Sequence, residues 1–202
     1  MKVTKKKLNL PEGQVEADVS IFEVEDLLSL KFIYESWHEV SKTLKDLGAR
    51  GFNIPEGLTE TSVCIYKSWY RVNNSQIGKA KTSFDAYDPN AEVNNNRIQI
   101  KAGSIENDLT SFGPRSVWDR IYFADFYNDG KWDGTVYLYE LNTEDIKGHS
   151  VNAKQVFSDQ QIEGRRPRFS IKKDLIAKGK YKSKEVFNIN DLVVNEETYE
   201  RC

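Results

Sequence analysis

Between residues 119 and 127 the chain runs almost continuously apolar, with Ile121-Tyr122-Phe123-Ala124 at the centre of the run. A half-exposed strand alternates polar and apolar residues; one that does not alternate belongs inside a sheet. The segment therefore predicts a buried central strand, and a domain built around it. Asn128-Asp129-Gly130 and Asp133-Gly134 follow as turn signals, and residues 135–141 predict the next strand. Upstream, residues 80–87 and 96–102 read as short strands joined through Asp88-Pro89-Asn90 and Asn94-Asn95-Asn96. Two helices precede them. In residues 20–47, Leu30, Ile33, Trp37, Val40, Leu44 and Leu47 recur at steps of three and four, which is one helix face, and Gly48 ends the pattern. Pro55 opens a second helix, carrying Glu56, Glu60 and Cys64 and running to about Arg71. The first eighteen residues read as an arm or a short strand. A short polar helix, a small helix near Asp174 and a polar tail close the chain. The order of elements predicts one α/β (α+β) domain over residues 1–202: a mixed central sheet over 80–141, flanked by helices that include the pair in 20–71.

Bulk properties narrow the class. A chain of 202 residues buries a core without disulfides. Cys64 reads as a small core residue on its helix and Cys202 as part of a loose tail, which fits a reducing cytoplasm. Lys5-Lys6-Lys7 imitates the start of a secretory signal, but Pro11, Glu12, Gly13 and Glu16 interrupt any apolar stretch behind it. No apolar window is long enough to span a membrane. Two histidines, His38 and His149, leave no zinc cluster, no HNH-type site and no convincing Ser-His-Asp set, and there is no Walker glycine loop. His38 reads as solvated on a polar helix face. The net charge of -2 exerts no global pull on nucleic acid, so such contact has to be local. One segment qualifies. Residues 165–184 hold nine Lys or Arg against one acid, Asp174. They form either a solvated basic surface or a set of phosphate and base-edge contacts, for which Arg suits guanine.

The residues that suggest chemistry are Arg97-Ile98-Gln99-Ile100-Lys101-Ala102, with Asp85 upstream. In a strand, alternate side chains share a face, so Gln99 and Lys101 lie about 6–7 Å apart on one side. A hairpin partner carrying Asp85 would bring its carboxylate beside them. A carboxylate holds Mg²⁺ through hard oxygens, and a lysine on the same face can orient or deprotonate a water and stabilise the transition state. Alone, the alternation also fits a solvated strand face.

The surroundings favour the chemical reading. Asp85 followed by Gln99-Ile100-Lys101 resembles the PD-(D/E)XK nuclease signature, and the flanking segments resemble type II restriction endonucleases. Arg50-Gly51-Phe52-Asn53-Ile54-Pro55-Glu56-Gly57-Leu58-Thr59-Glu60 is similar to a segment ahead of their active site. Asp108-Leu109-Thr110-Ser111-Phe112-Gly113-Pro114, leading to Trp118-Asp119, is similar to the stretch after their catalytic lysine, and Gly164-Arg165-Arg166-Pro167-Arg168-Phe169-Ser170 resembles a basic segment near their C-terminus. The similarity covers roughly residues 20–180 and looks closest to the small enzymes that cut GCNGC.

The resemblance implies a restriction-endonuclease-like mixed sheet, Mg²⁺ as cofactor and double-stranded DNA as partner. It also implies a homodimer reading a two-fold site, products with 5′-phosphate ends, and a functionally linked methyltransferase. The implied catalytic set is Asp85, Gln99, Lys101 and Glu60, with Asp85, Glu60 and Gln99 on the metal. Arg50, Asn53, Ser111, Arg115, Arg165, Arg166, Arg168, Lys172 and Lys173 are implied near DNA, the last five within a basic segment over 163–184. Two departures matter. Phe84 stands where the signature has proline, and Gln99 replaces its acidic residue. Glu60 is therefore expected to supply the missing charge from its helix. Glu56 is a second candidate, with a first-turn dipole role as the alternative. Asp88 competes with Asp85, but precedes Pro89 and suits turn capping. Asp108 reads as a helix N-cap and Asp133 as turn chemistry. A non-specific nuclease of the same superfamily, or a DNA-binding module with a decayed site, stay open as other readings.

Overall fold

We analysed a computed structural model, which describes residues 1–49, 51–74, 77–78 and 83–195. The chain opens on a hairpin, β1 (Lys2–Leu10) against β2 (Gly13–Ile21). Of the expected alternatives, an arm or a short strand, the segment is β, but as two paired strands. Gly13 turns the chain at φ +117°, and Leu8, Leu10, Ala17 and Val19 are buried. Lys5 and Lys7 stay exposed along the edge strand, as charges do on natural sheet edges.

Helix α1 (Val24–Asp46) begins on a capping box in which the Glu23 side chain accepts from the Asp26 N–H and Asp26 accepts from the Glu23 N–H. Its buried face is Leu30, Tyr34, Trp37 and Ser41. Ile33, Val40 and Leu47, expected inside, are exposed. The apolar residues of α1 form two stripes, and the aromatic one takes the core: Trp37 stacks on Trp132, and the Tyr34 hydroxyl accepts from Gly134 N at 3.0 Å. Helix α2 (Glu56–Lys67) starts behind Pro55 and ends at Ser68, which turns left-handed at φ 57°. Arg71 therefore lies beyond the helix, on β3 (Tyr70–Val72).

Next come β4 (Ala86–Tyr87), β5 (Arg97–Gly103), β6 (Thr110–Ser111), β7 (Arg120–Asp125) and β8 (Thr135–Leu141). Of the strand expected over 80–87, Ala86–Tyr87 is β4 and Ser83 bridges to Ser116, while residues 80–82 lie outside the described residues. Asp108 precedes β6 rather than a helix. The remainder is α3 (Thr143–Lys147), α4 (Phe157–Ile162), β9 (Arg168–Phe169), α5 (Ile171–Asp174) and β10 (Ser183–Asn188). The tail expected to be polar and irregular instead supplies β10 to the sheet.

Among the described residues the main sheet has eight strands in the order β1-β2-β3-β4-β5-β7-β8-β10. All neighbours are antiparallel except β5 and β7, which run parallel through a crossover containing β6. The result is a mixed sheet flanked by helices, an α+β domain. Strand β7 is the expected central strand. Its Tyr122 and Ala124 pack with Leu30, Trp37 and Val63, whereas Ile121 and Phe123 pack with Phe112, Phe157 and Ile171. Alternate side chains thus feed two cores, one on each face. The separate β6–β9 ribbon sets Ser111 opposite Arg168. No helix among the described residues is long and apolar enough to cross a membrane.

Candidate active site

A cleft of about 260 Å³ opens where β5 ends. Asn53, Ile54, Glu56 and Thr59 form one wall, Asp108 to Ser111 the other, and Ile100, Lys101 and Ala102 the floor. The two walls are tied at the base, where Ile54 N donates to Ser104 Oγ at 3.2 Å.

Asp85 enters from the residue before β4. Its N–H donates to Ile98 O at 2.9 Å, which fixes its height against β5. Its Oδ2 then accepts from Ile100 N at 2.8 Å and from the Gln99 side-chain amide. Gln99 is buried, and its Oε1 has no hydrogen-bond partner. A buried amide oxygen without a donor is costly, so its retention calls for an explanation. Lys101 is half-buried on the same strand face; its Nζ lies 5.7 Å from the Phe112 ring centroid.

Glu60 comes from α2 and is 6% exposed. Arg71 Nε donates to its Oε2 at 2.7 Å. Burial, then the Asp85 charge, push the Glu60 carboxyl up to about 7, against the pull of Arg71. Asp85 is also raised, first by burial and further by Glu56, with Lys101 and the Ile100 N–H opposing. Two carboxylates, an orphaned amide oxygen and a lysine therefore lie close together, Glu60 and Gln99 buried, Asp85 and Lys101 half-buried. A hard cation would relieve the repulsion and satisfy the oxygen. Mg²⁺ asks for one or two carboxylates plus waters, so this donor set fits it. Among the described residues no three His, Cys, Asp or Glu side chains converge as a ready-made metal cage.

The structure brings Asp85, Gln99, Lys101 and Glu60 together, with Glu56 at the rim. Asp88 is engaged elsewhere: its Oδ2 accepts from Arg120 Nη2 at 2.5 Å and its Oδ1 from Asn90 N at 3.0 Å. Asp133 caps its turn through Thr135 N at 2.9 Å. Cys64 is buried inside α2. His38, expected to be solvated, instead packs against Tyr34 and Trp132.

Of the residues expected near DNA, Asn53 and Ser111 line the cleft, and the Ser111 Oγ is buried without a partner. Arg165, Arg166, Arg168 and Lys173 are exposed beyond the Ser111 wall, Arg165 pairing with Glu163 at 3.1 Å. Arg115 is exposed on the loop after β6. Lys172 turns inward, 2.9 Å from the buried Asp125 and 3.2 Å from Asp129. Arg50 lies outside the described residues. Two site residues went unnoticed in the sequence, Arg71 and Ser104. Neither stands in a motif; only the return of β3 past α2 makes Arg71 a neighbour of Glu60.

No solved structure matches the chain. It is 34% identical over 165 residues to the type II restriction enzyme Bsp6I of Bacillus sp. (strain RFL6), a match covering 80% of this chain and 84% of that enzyme. The family model described as Bsp6I restriction endonuclease matches residues 22–178. The cleft, the acids beside it and these matches agree: the chain belongs to the Bsp6I family of type II restriction endonucleases, which are DNA-cleaving hydrolases.

Proposed function

We propose that this chain is a Mg²⁺-dependent, site-specific endonuclease of the PD-(D/E)XK kind, cutting double-stranded DNA at a short two-fold site related to GCNGC. The observation that carries this reading is the buried set around Asp85: its bonds from Ile100 N and Gln99, the orphaned Gln99 Oε1, and Glu60 beside it. In this reading Asp85, Glu60 and Gln99 Oε1 hold the metal. When bound, Mg²⁺ lowers the pKa of a water and offsets charge on the phosphoryl group.

The chain's own residues do the rest. Arg71 holds Glu60 in place through its Nε. Backbone Ile100 N and the Gln99 amide fix the rotamer of Asp85. Lys101, on the same strand face, orients the attacking water and stabilises negative charge on the phosphate oxygens. The water oxygen forms the new bond to phosphorus as the bond to the 3′ oxygen breaks. Water gives up a proton and the leaving oxygen gains one, leaving a 5′-phosphate and a 3′-hydroxyl. The exposed Arg165, Arg166, Arg168 and Lys173 face the DNA beyond the cleft, with Asn53, Ser111 and Arg115 on its rims. A two-fold target is most simply cut by a homodimer with one such site per strand. A methyltransferase of the same specificity would protect host DNA, and a cytoplasmic location suits that role.

The test is plasmid cleavage with and without Mg²⁺. Discrete fragments are expected. A smear would favour a non-specific nuclease, and intact DNA with a gel shift would favour a decayed site. Lys101→Ala is expected to lower cleavage at least a hundredfold while keeping DNA affinity. Undiminished cutting by that variant would sink the assignment of the site.

A further inference from the structure

A second cavity, of about 440 Å³, lies between the C-terminal half of α1 and the loop that joins β7 to β8. His38, Lys42 and Lys45 line it from the helix, and Tyr127, Lys131 and Trp132 from the loop. Steps of four and three keep the three helix residues within about 60° of one another around the axis, so they share one face. No acid lines the cavity. Among the described residues, Lys42, Lys45 and Lys131 have no carboxylate within ion-pair distance. The acids of the same loop are engaged elsewhere: Asp129 lies 3.2 Å from Lys172, and Asp133 accepts from Thr135 N and the Asn128 amide.

The lining selects an anion over a base. Trp37, His38 and Lys45 already surround the Trp132 ring, with Lys45 Nζ 3.8 Å from its centroid, so the ring is not set to receive a stacked base. A cation–π contact of this kind holds an ammonium group in place without neutralising it. Burial, then the charges of Lys42 and Lys45, push the His38 imidazole below its ordinary value, with Glu39 opposing. The ring is therefore neutral at pH 7 and the lysines carry the charge. Three ammonium groups around one opening repel each other, and an anion between them relieves the repulsion. Lysine is the point-charge binder of phosphate.

The cavity also opens at the same end of the sheet as the cleft. Strands β5 and β7 run parallel with Gly103 in register with Asp125, and Phe126 N donates to Gly103 O at 2.8 Å. Past that point β5 leads to Ser104 and the Ser111 wall, and β7 to Tyr127 and Trp132. One loop separates the two openings. A Cβ added at Gly51 would stand 3.4 Å from Lys45 Cε, and Phe52 O accepts from Trp37 Nε1 at 3.2 Å; the next residues, Asn53 and Ile54, are the cleft wall. We infer that this lysine cavity holds a backbone phosphate of the DNA that lies in the cleft, beyond the Asn53 wall as the β6–β9 ribbon lies beyond the Ser111 wall. The inference rests on the DNA-cleaving reading and gives the duplex a second anchor, so that it is gripped on both sides of the scissile bond.

Fluorescence anisotropy of the full chain on a DNA duplex, without metal and across a salt series, tests it. Lys42→Gln combined with Lys131→Gln is expected to flatten the slope of log K against log salt by roughly one unit and to weaken binding about tenfold. Both side chains are exposed, so folding does not depend on them. Lys42→Arg with Lys131→Arg, which keeps the charge, is expected to keep the wild-type slope. Lys2→Gln with Lys7→Gln removes the same charge from β1, at the far edge of the sheet, and is expected to leave the slope unchanged. Cavity variants with the wild-type slope, or a β1 control that flattens it as much, overturn the inference. So does inorganic phosphate that binds the wild type and not the cavity variants while the DNA slope of the two is the same, because the cavity then serves a small anion. Cleavage in Mg²⁺ is measured beside it. A chain that grips DNA through the cavity but never cuts keeps the inference and loses the nuclease reading; one that cuts while its slope ignores the cavity does the reverse.

Discussion

At Glu60, burial and ionisation pull against each other. A carboxyl 6% exposed beside Asp85 resists ionisation, and Arg71 offsets only part of that resistance. The sign of the pH effect follows. The folded group titrates at about 7, against an ordinary 4.5. Between those values the folded chain keeps a proton that the unfolded chain has lost. Stability of the metal-free protein therefore falls as pH rises through that window, by on the order of 2 kcal/mol, and is level above it. In EDTA, urea midpoints of Glu60→Gln should change less between pH 5 and pH 8 than those of the wild type. The same variant should lose most metal-dependent cleavage. A variant with wild-type pH dependence would show that Glu60 does not carry this strain. Gln99 advertised the deficit in the sequence, because a neutral amide stood where the motif wants an acid. The proposal that Glu60 fills it came only through resemblance. Arg71, its partner, was not legible at all, since the two lie eleven positions apart, across helix, turn and strand.

The elements divide along the same line. Strands β7 and β8 were readable because burial on both faces, or alternation closed by turn signals, leaves few other choices. Helix α1 was readable as a helix but not in its orientation. Its apolar residues occupy two stripes, and counting steps of three and four cannot say which stripe meets the sheet. The aromatic stripe does, because Trp37 finds Trp132 and Phe52 O across the layer. Trp37→Ala should therefore cost about 3–5 kcal/mol in urea unfolding, as aromatic truncations in cores do. Leu47→Ala, at a position 77% exposed, should fall within about 0.5 kcal/mol of the wild type. Equal losses would restore the face expected from periodicity. The pairing of β1 with β2, where the sequence offered an arm or a short strand, and strand β10 escaped notice for a different reason. Edge strands rich in lysine look like solvated tails, and their burial is decided by the neighbours they pair with.

At the scale of the whole molecule, a chain of net charge -2 has to bind a polyanion through a local field. In the reading proposed above, the β6–β9 ribbon beside the cleft supplies it: Arg168 stands across from Ser111, and Arg165 and Arg166 are exposed just before it. Basic residues close together in sequence do not all face the same way, however. Lys172 is spent on the buried Asp125. Charge count along the chain treats these residues alike, and the structure separates them. DNA affinity measured by fluorescence anisotropy across a salt series, in the Lys101→Ala background to prevent cutting, should reflect the difference. Each phosphate contact contributes about −0.9 to the slope of log K against log salt. Replacing Arg165, Arg166 and Arg168 together by Ala should flatten that slope by roughly two to three units. Lys172→Ala should leave the slope nearly unchanged and instead lower stability by about 1–3 kcal/mol, because it strands the Asp125 carboxylate inside the fold. A slope that responds to Lys172 and not to the three arginines would place the DNA on the other side of the β6–β9 ribbon.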